Sequence, residues 1–147
     1  MKGNMLNWDV TVPKLIDHAE KYSFDAEIVS RELDNSISKI TVGDCLSRSR
    51  RVARMLLNFG VHQGDRVGTI AWNNSRHFEV YFGVTGMGGV LHTINPRLFP
   101  EQLIYILNHA EDKVVFVDET FLPLIAAVQE HLQNSPHIIL MGPKKDI

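Results

Sequence analysis

A layered α/β fold built on a parallel sheet is what this sequence predicts, and three observations carry that expectation. From residue 66 onward, strand-like apolar runs alternate with helical segments of ~10–15 residues, the rhythm of right-handed βαβ crossovers. The first of those runs, Val67-Gly68-Thr69-Ile70-Ala71, is apolar or small at every position. Such a strand belongs in the middle of a parallel sheet covered on both faces by helices. The length, 147 residues, suits one domain with a real core.

Residues 1–26 read as a loosely organised leader with one short helix over 12–22, capped by Thr11 and carrying Pro13 in its first turn. Segments 27–33 and 36–40 flank the polar pair Asp34-Asn35 and predict a β-hairpin over 27–40. Thr41 then caps a second helix, with Asp44 three residues on as a weaker capping box. Val42, Cys45, Leu46, Val52, Ala53, Leu56 and Phe59 recur there at helical spacing, and Gly60 supplies the left-handed end.

The βα units occupy 41–142. Gln63-Gly64-Asp65 turns the chain into a strand over 66–72. A helix over 76–87 presents Phe78, Tyr81, Phe82 and Thr85 to one side and stops at Gly88-Gly89. A second strand follows over 90–94. Pro100-Glu101 opens a helix ending near Ala110, with Leu103, Ile104, Ile106 and Leu107 as its apolar stripe. A third strand over 113–117, a helix over 120–132 with Pro123 in its first turn, and a fourth strand over 137–141 complete the series. All four strands are expected to be mutually parallel, with their apolar residues in the core. No repeat, low-complexity tract or linker interrupts them.

Charge and composition narrow the function. With 15 basic and 17 acidic residues the net charge is −2, which does not give the clustered basic surface of a nucleic-acid binder. Arg48, Arg50, Arg51 and Arg54 read as the solvated face of a helix. The single cysteine, Cys45, forms no internal disulfide and reads as a small buried apolar residue. No apolar run approaches the ~18 residues that span a bilayer, and no signal peptide is legible, so a soluble cytoplasmic protein is expected.

Several residue types invite chemistry that their spacing does not support. The glycines of 83–89 sit at a helix C-terminus, whereas phosphate sites use helix N-termini that follow a strand, so close packing is expected of them. The histidines at 18, 62, 77, 92, 109, 131 and 137 have no i, i+4 pairing and no cysteine partners, which argues against zinc. No serine occupies a strand-to-helix elbow. The sharper possibility lies in loops. Ligands of open parallel sheets gather at the carboxyl ends of strands, and Asn73-Asn74-Ser75, Asn95-Pro96-Arg97 and Asp118 all follow predicted strands. They would share one edge, as a small-molecule site or simply as turn and packing residues.

The order of motifs resembles the N-terminal part of the adenylate-forming acyl-CoA synthetases, closest to the medium- and long-chain fatty-acyl branch. The resemblance covers roughly residues 40–142 and rests on Phe59-Gly60-Val61, Gly64-Asp65-Arg66-Val67, Asn74-Ser75, Tyr81-Phe82, Gly88-Gly89-Val90 and Asn95-Pro96-Arg97. Gly89 stands where alanine is usual. Trp72-Asn73 and Leu91-His92-Thr93-Ile94 point to the fatty-acyl branch.

The resemblance implies the first portion of a large adenylation domain. The full-length reaction would activate a fatty acid with ATP and Mg²⁺ as an acyl-adenylate, then transfer the acyl group to CoA with release of AMP. The family's phosphate loop, ribose aspartate and activating lysine have no counterpart in residues 1–147, so no catalytic, cofactor-binding or metal residue is carried over. The chain by itself is expected to be inactive and to bind no cofactor. Its expected partners are the remainder of the same polypeptide and a second copy in a homodimer, with neither nucleic acid nor a membrane. A self-contained α/β module for nucleotide binding or dimerisation stays open as the alternative.

Overall fold

Parallel pairing around two inner strands organises the molecule. The computed structural model describes Gly3 and residues 7–142; Lys2 and the Pro143-Lys144-Lys145-Asp146-Ile147 end lie outside the described residues. In chain order the elements are α1 Val12–Tyr22, β1 Glu27–Arg31, β2 Ile37–Thr41, α2 Val42–Asn58, β3 Arg66–Ile70, α3 Ser75–Gly86, β4 Val90–Thr93, α4 Pro100–Ala110, β5 Val114–Asp118, α5 Leu122–Val128 and β6 His137–Met141.

The hairpin forms as the sequence predicts, with Glu27 opposite Thr41 and Arg31 opposite Ile37. Asn35 takes a left-handed φ of 68° at the turn, a conformation asparagine tolerates, and Asp34 Oδ1 accepts the Ser36 N–H at 2.9 Å. Thr41 ends β2 and caps α2 at once, its hydroxyl oxygen accepting the Asp44 N–H at 3.0 Å. Asp44 does not reach back to the Thr41 backbone as a capping box requires; it accepts the Thr41 hydroxyl instead, at 2.9 Å. At α1 the Thr11 side chain makes no capping bond, which corrects the expectation for that residue.

The sheet order is β4-β3-β5-β6, with all three pairings parallel. The chain steps from β3 outward to β4, then returns across β3 to β5. Right-handed crossings of opposite direction put their helices on opposite faces. Two cores result. Leu56, Val61, Val67, Val80, Val84, Val114 and Phe116 gather under α2 and α3; Ile70, Ile94, Leu103, Leu107, Val115, Val117, Ile125 and Val128 gather under α4 and α5. Alternate residues of β5 serve opposite faces, and all five are buried.

Two further expectations need correction. Val90 and Leu140 are 49% and 51% exposed, because β4 and β6 form the sheet's two edges and are not covered as β3 and β5 are. The helix predicted over 120–132 is a short α5 between two 3₁₀ turns, Glu119–Phe121 and Gln129–His131. On α3, the side marked by Phe78, Tyr81, Phe82 and Thr85 is not the buried one. Ser75, Glu79, Val80, Gly83 and Val84 face the protein, while Phe78 and Tyr81 stay about two-fifths exposed. Gly83 explains the choice: a Cβ there would stand 2.8 Å from the Ser49 carbonyl and 2.9 Å from Val52, so glycine lets α2 and α3 touch backbone to backbone.

Candidate functional site

Because β3, β4 and β5 run parallel, the loops after them do share one edge. The Ala71–Asn74 loop and the end of β5 are joined directly. Asp118, the last residue of β5 and fully buried, accepts the Trp72 backbone N–H with Oδ2 at 2.6 Å. Trp72 adds an indole N–H to Thr120 Oγ1 at 2.9 Å and a ring contact with Phe121 at 5.0 Å between centroids. This is where the sheet order reverses, the position at which open α/β sheets commonly receive ligands. Here the chain's own side chains stitch it.

Asn74 caps α3, its Oδ1 accepting the His77 N–H at 3.1 Å, and the Ser75 N–H donates to Ser30 of the hairpin at 2.8 Å. The 95–97 loop turns on itself instead: Asn95 Oδ1 accepts the Arg97 N–H at 3.0 Å, and the Arg97 side chain is exposed. Of the seven predicted edge residues, Asn74, Ser75 and Asp118 are buried and each hydrogen-bonded to a neighbouring backbone or side chain, Asn95, Pro96 and Arg97 form a self-contained turn, and Asn73 is exposed.

The structure adds residues that the sequence reading did not single out. Arg76, one residue into α3, donates from Nη1 to Glu32 Oε2 at 2.7 Å, both side chains largely buried. Ser38 donates to the other Glu32 oxygen, and that hydrogen bond is the leading reason the Glu32 carboxyl is held below its usual range, with the Arg76 charge adding to it. Burial pushes the Asp118 carboxyl up, against the Trp72 hydrogen bond and the Arg76 charge. His77 is pushed down by burial and sits 3.0 Å from Thr69 Oγ1. No local periodicity connects Glu32 with Arg76, since the pair forms only when the hairpin folds over α3.

Beside this network a trough of about 550 Å³ opens between the hairpin and α3. Ile28, Val29, Phe78, Tyr81 and Phe82 give it apolar lining, and Ser30, Asn73, Asn74, His77 and Thr93 line it with polar groups.

The glycines of 83–89 are closely packed: a Cβ at Gly83 would meet Val52, one at Gly88 would meet Gln63 and one at Gly89 would meet Val84. Among the described residues no three His, Cys, Asp or Glu side chains come together as a metal would need. His92 Nδ1 and Asp112 Oδ2 pair at 2.8 Å over Gly68, whose missing Cβ makes room for that carboxylate. Asp65 accepts the His62 N–H and pairs with Lys113 at 2.7 Å, a brace at the opposite edge. Cys45 is buried as expected. Arg48 reaches Glu79 at 2.9 Å and Arg50 pairs with Glu20, so the basic face of α2 is partly used in packing.

Known proteins agree with this architecture. The sequence profile described as AMP-binding enzyme matches residues 15–145. A 3-methylmercaptopropionyl-CoA ligase of Ruegeria lacuscaerulensis is 47% identical over 99% of this chain and 27% of its own length. A medium-chain-fatty-acid–CoA ligase of Ectopseudomonas oleovorans is 44% identical over 97% of this chain and 26% of its own. The crystal structure of an anthranilate CoA ligase with anthranoyl-AMP superposes with a TM-score of 0.83 at 23% identity, over 97% of this chain and 27% of that one, and shows the common fold. The chain spans about a quarter of the length of the relatives it matches. It belongs to the AMP-binding enzyme family and corresponds to the N-terminal part of its acyl-CoA ligases.

Proposed function

We propose that this chain is the scaffold portion of an ATP-dependent acyl-CoA ligase, whose whole polypeptide joins a carboxylic acid to CoA with cleavage of ATP to AMP and pyrophosphate. One observation carries the reading: similarity covers 97–99% of the chain at 44–47% identity to proteins named as CoA ligases. What the chain contributes is position. Its latched carboxyl edge and double-faced sheet supply a rigid wall, while residues able to hold nucleotide phosphate or Mg²⁺ would come from the rest of the polypeptide. Small thioether acids and medium-chain fatty acids, the substrates named for the two relatives above, are the first to try. A cytoplasmic location suits a chain in which, among the described residues, no helix is long and apolar enough to cross a membrane.

Two assays test this together. The isolated chain should give no ATP–pyrophosphate exchange above a heat-killed control. A chimera in which the 147 residues replace the matching segment of the R. lacuscaerulensis ligase should form acyl-CoA; an inactive but folded chimera would overturn the assignment.

A further inference from the structure

Two carboxylates, Glu32 and Asp118, stand about one buried guanidinium where the hairpin meets the carboxyl edge of the sheet. Arg76 gives Nη1 to Glu32 at 2.7 Å and keeps Nε and Nη2 buried without a hydrogen-bond partner. Asp118, fully buried at the end of β5, accepts the Trp72 N–H with Oδ2 and leaves Oδ1 buried without a partner. The donors left over and the acceptor left over therefore belong to groups of opposite charge. They are also neighbours. Arg76 lines a cleft of about 370 Å³ together with Glu32 and with Glu119, the residue that follows Asp118, and the Arg76 charge acts on the Asp118 carboxyl. Buried polar groups are normally paired, and a guanidinium presents its N–H donors in one rigid fork that can serve either carboxylate.

What decides the pairing is the charge on Asp118. Protonated, it is neutral and exerts no pull on the guanidinium, which stays with Glu32. Ionised and fully buried, it is costly until a cation meets it. The groups that bear on it are Arg76 and His77 from α3 and Glu32 from the hairpin, with Glu119 next in the chain. Burial holds His77 toward its neutral form and Glu32 repels the charge, so Arg76 is the cation that can answer it. Ser38 keeps its hydrogen bond to the other Glu32 oxygen, so Glu32 retains a partner when the guanidinium turns away.

We propose that Arg76 is a two-position latch: it fastens the turn end of the hairpin to α3 through Glu32 while Asp118 is protonated, and turns to Asp118 Oδ1 when that carboxyl ionises, freeing the turn end. The middle of the hairpin stays tied in both states by the Ser75 N–H on Ser30 at 2.8 Å, which confines the loosening to residues 31–38. Hydrogen exchange of the chain at pH 4.5 and pH 7, corrected for intrinsic rates, tests it. Protection over 31–38 should fall about fivefold or more across that interval, while 114–117 in the inner strand β5 should change by less than about twofold. Asp118→Asn removes the charge that draws Arg76 but keeps Glu32, Ser38 and His77, and its 31–38 segment should be protected equally at both pH values. The proposal is overturned by a wild type without the response, or by a response that survives in Asp118→Asn and so belongs to His77 or Glu32. An equal loss at 114–117 overturns it as well, since that marks a fall in global stability. Should Asp118→Asn not fold, the wild type decides: the Arg76 Nε–H resonance should titrate together with the Asp118 carboxyl carbon in NMR spectra, and a resonance that follows Glu32 or does not move overturns the latch.

Discussion

Asp118 holds Trp72 across the reversal point of the sheet, its Oδ2 2.6 Å from the Trp72 backbone nitrogen. The bond joins the ends of β3 and β5 and thereby fixes the loop that delivers Asn73 and Asn74 to the trough. Removing it with Asp118→Ala would leave the part-buried Trp72 N–H without its acceptor and should cost about 1–2 kcal/mol in a urea titration. Asp118→Asn keeps an acceptor at the same place and should cost about half of that. Equal losses for the two variants would mean that the hydrogen bond is not what holds the loop.

The same carboxyl sets a pH dependence. Burial raises its pKa, so the folded protein binds the proton more tightly than the unfolded one, and this group adds stability as pH falls toward its folded value. Glu32 and Asp65 run the opposite way: their pKa values are lowered, and the stability they contribute above the unfolded value is lost as pH falls through the folded one. Comparing wild type with Asp118→Asn isolates the first effect. The penalty of the substitution should shrink from pH 4.5 to pH 7, where the wild type bears a buried charge. A penalty that grows over that interval contradicts the assigned shift.

These effects lie outside what the sequence discloses. The four strands, their parallel direction and the hairpin were legible because period-2 and period-3.6 patterns are local. The carboxyl edge was legible in outline, since a parallel sheet places Asn74, Ser75 and Asp118 together by topology. Arg76 with Glu32, His92 with Asp112 and Trp72 with Thr120 were not, as each pair joins residues 20 to 48 positions apart whose meeting depends on the finished fold. The face of α3 was illegible for a different reason. Its aromatic stripe outweighs Glu79 and Gly83 in hydropathy, yet close approach to α2 selects the glycine side.

Gly83 should accordingly tolerate nothing larger. Gly83→Ala places a methyl 2.8 Å from the Ser49 carbonyl, which forces the helices apart at an expected cost of about 1–3 kcal/mol, despite alanine's better helix propensity. Thermal denaturation by circular dichroism measures it. A stabilised Gly83→Ala variant would show that the α2–α3 contact is looser than described.

Cys45 offers a probe of the same interface. Its thiol is buried between these helices, and burial, with the nearby Glu79 charge, pushes its pKa up to about 11. At pH 8 it should react with Ellman's reagent only on unfolding, and at full stoichiometry in denaturant. Rapid reaction of the native chain would place α2 away from α3.

Self-association of the free chain is the remaining expectation. Phe78 and Tyr81 expose aromatic surface at the trough, and among the described residues β4 is an edge strand without a second partner, with Val90 about half accessible. Apolar patches beyond a few hundred Å² and open edges both drive association. Light scattering across a concentration series should therefore show mass rising with concentration. Because Phe78 and Tyr81 are only partly buried, changing both to serine should cost little stability while moving the chain toward monomer. Tyr105→Ser on α4, at the opposite face and 65% exposed, should leave the association unchanged. Equal effects from both surfaces would indicate nonspecific aggregation; no effect from either would place the contact elsewhere.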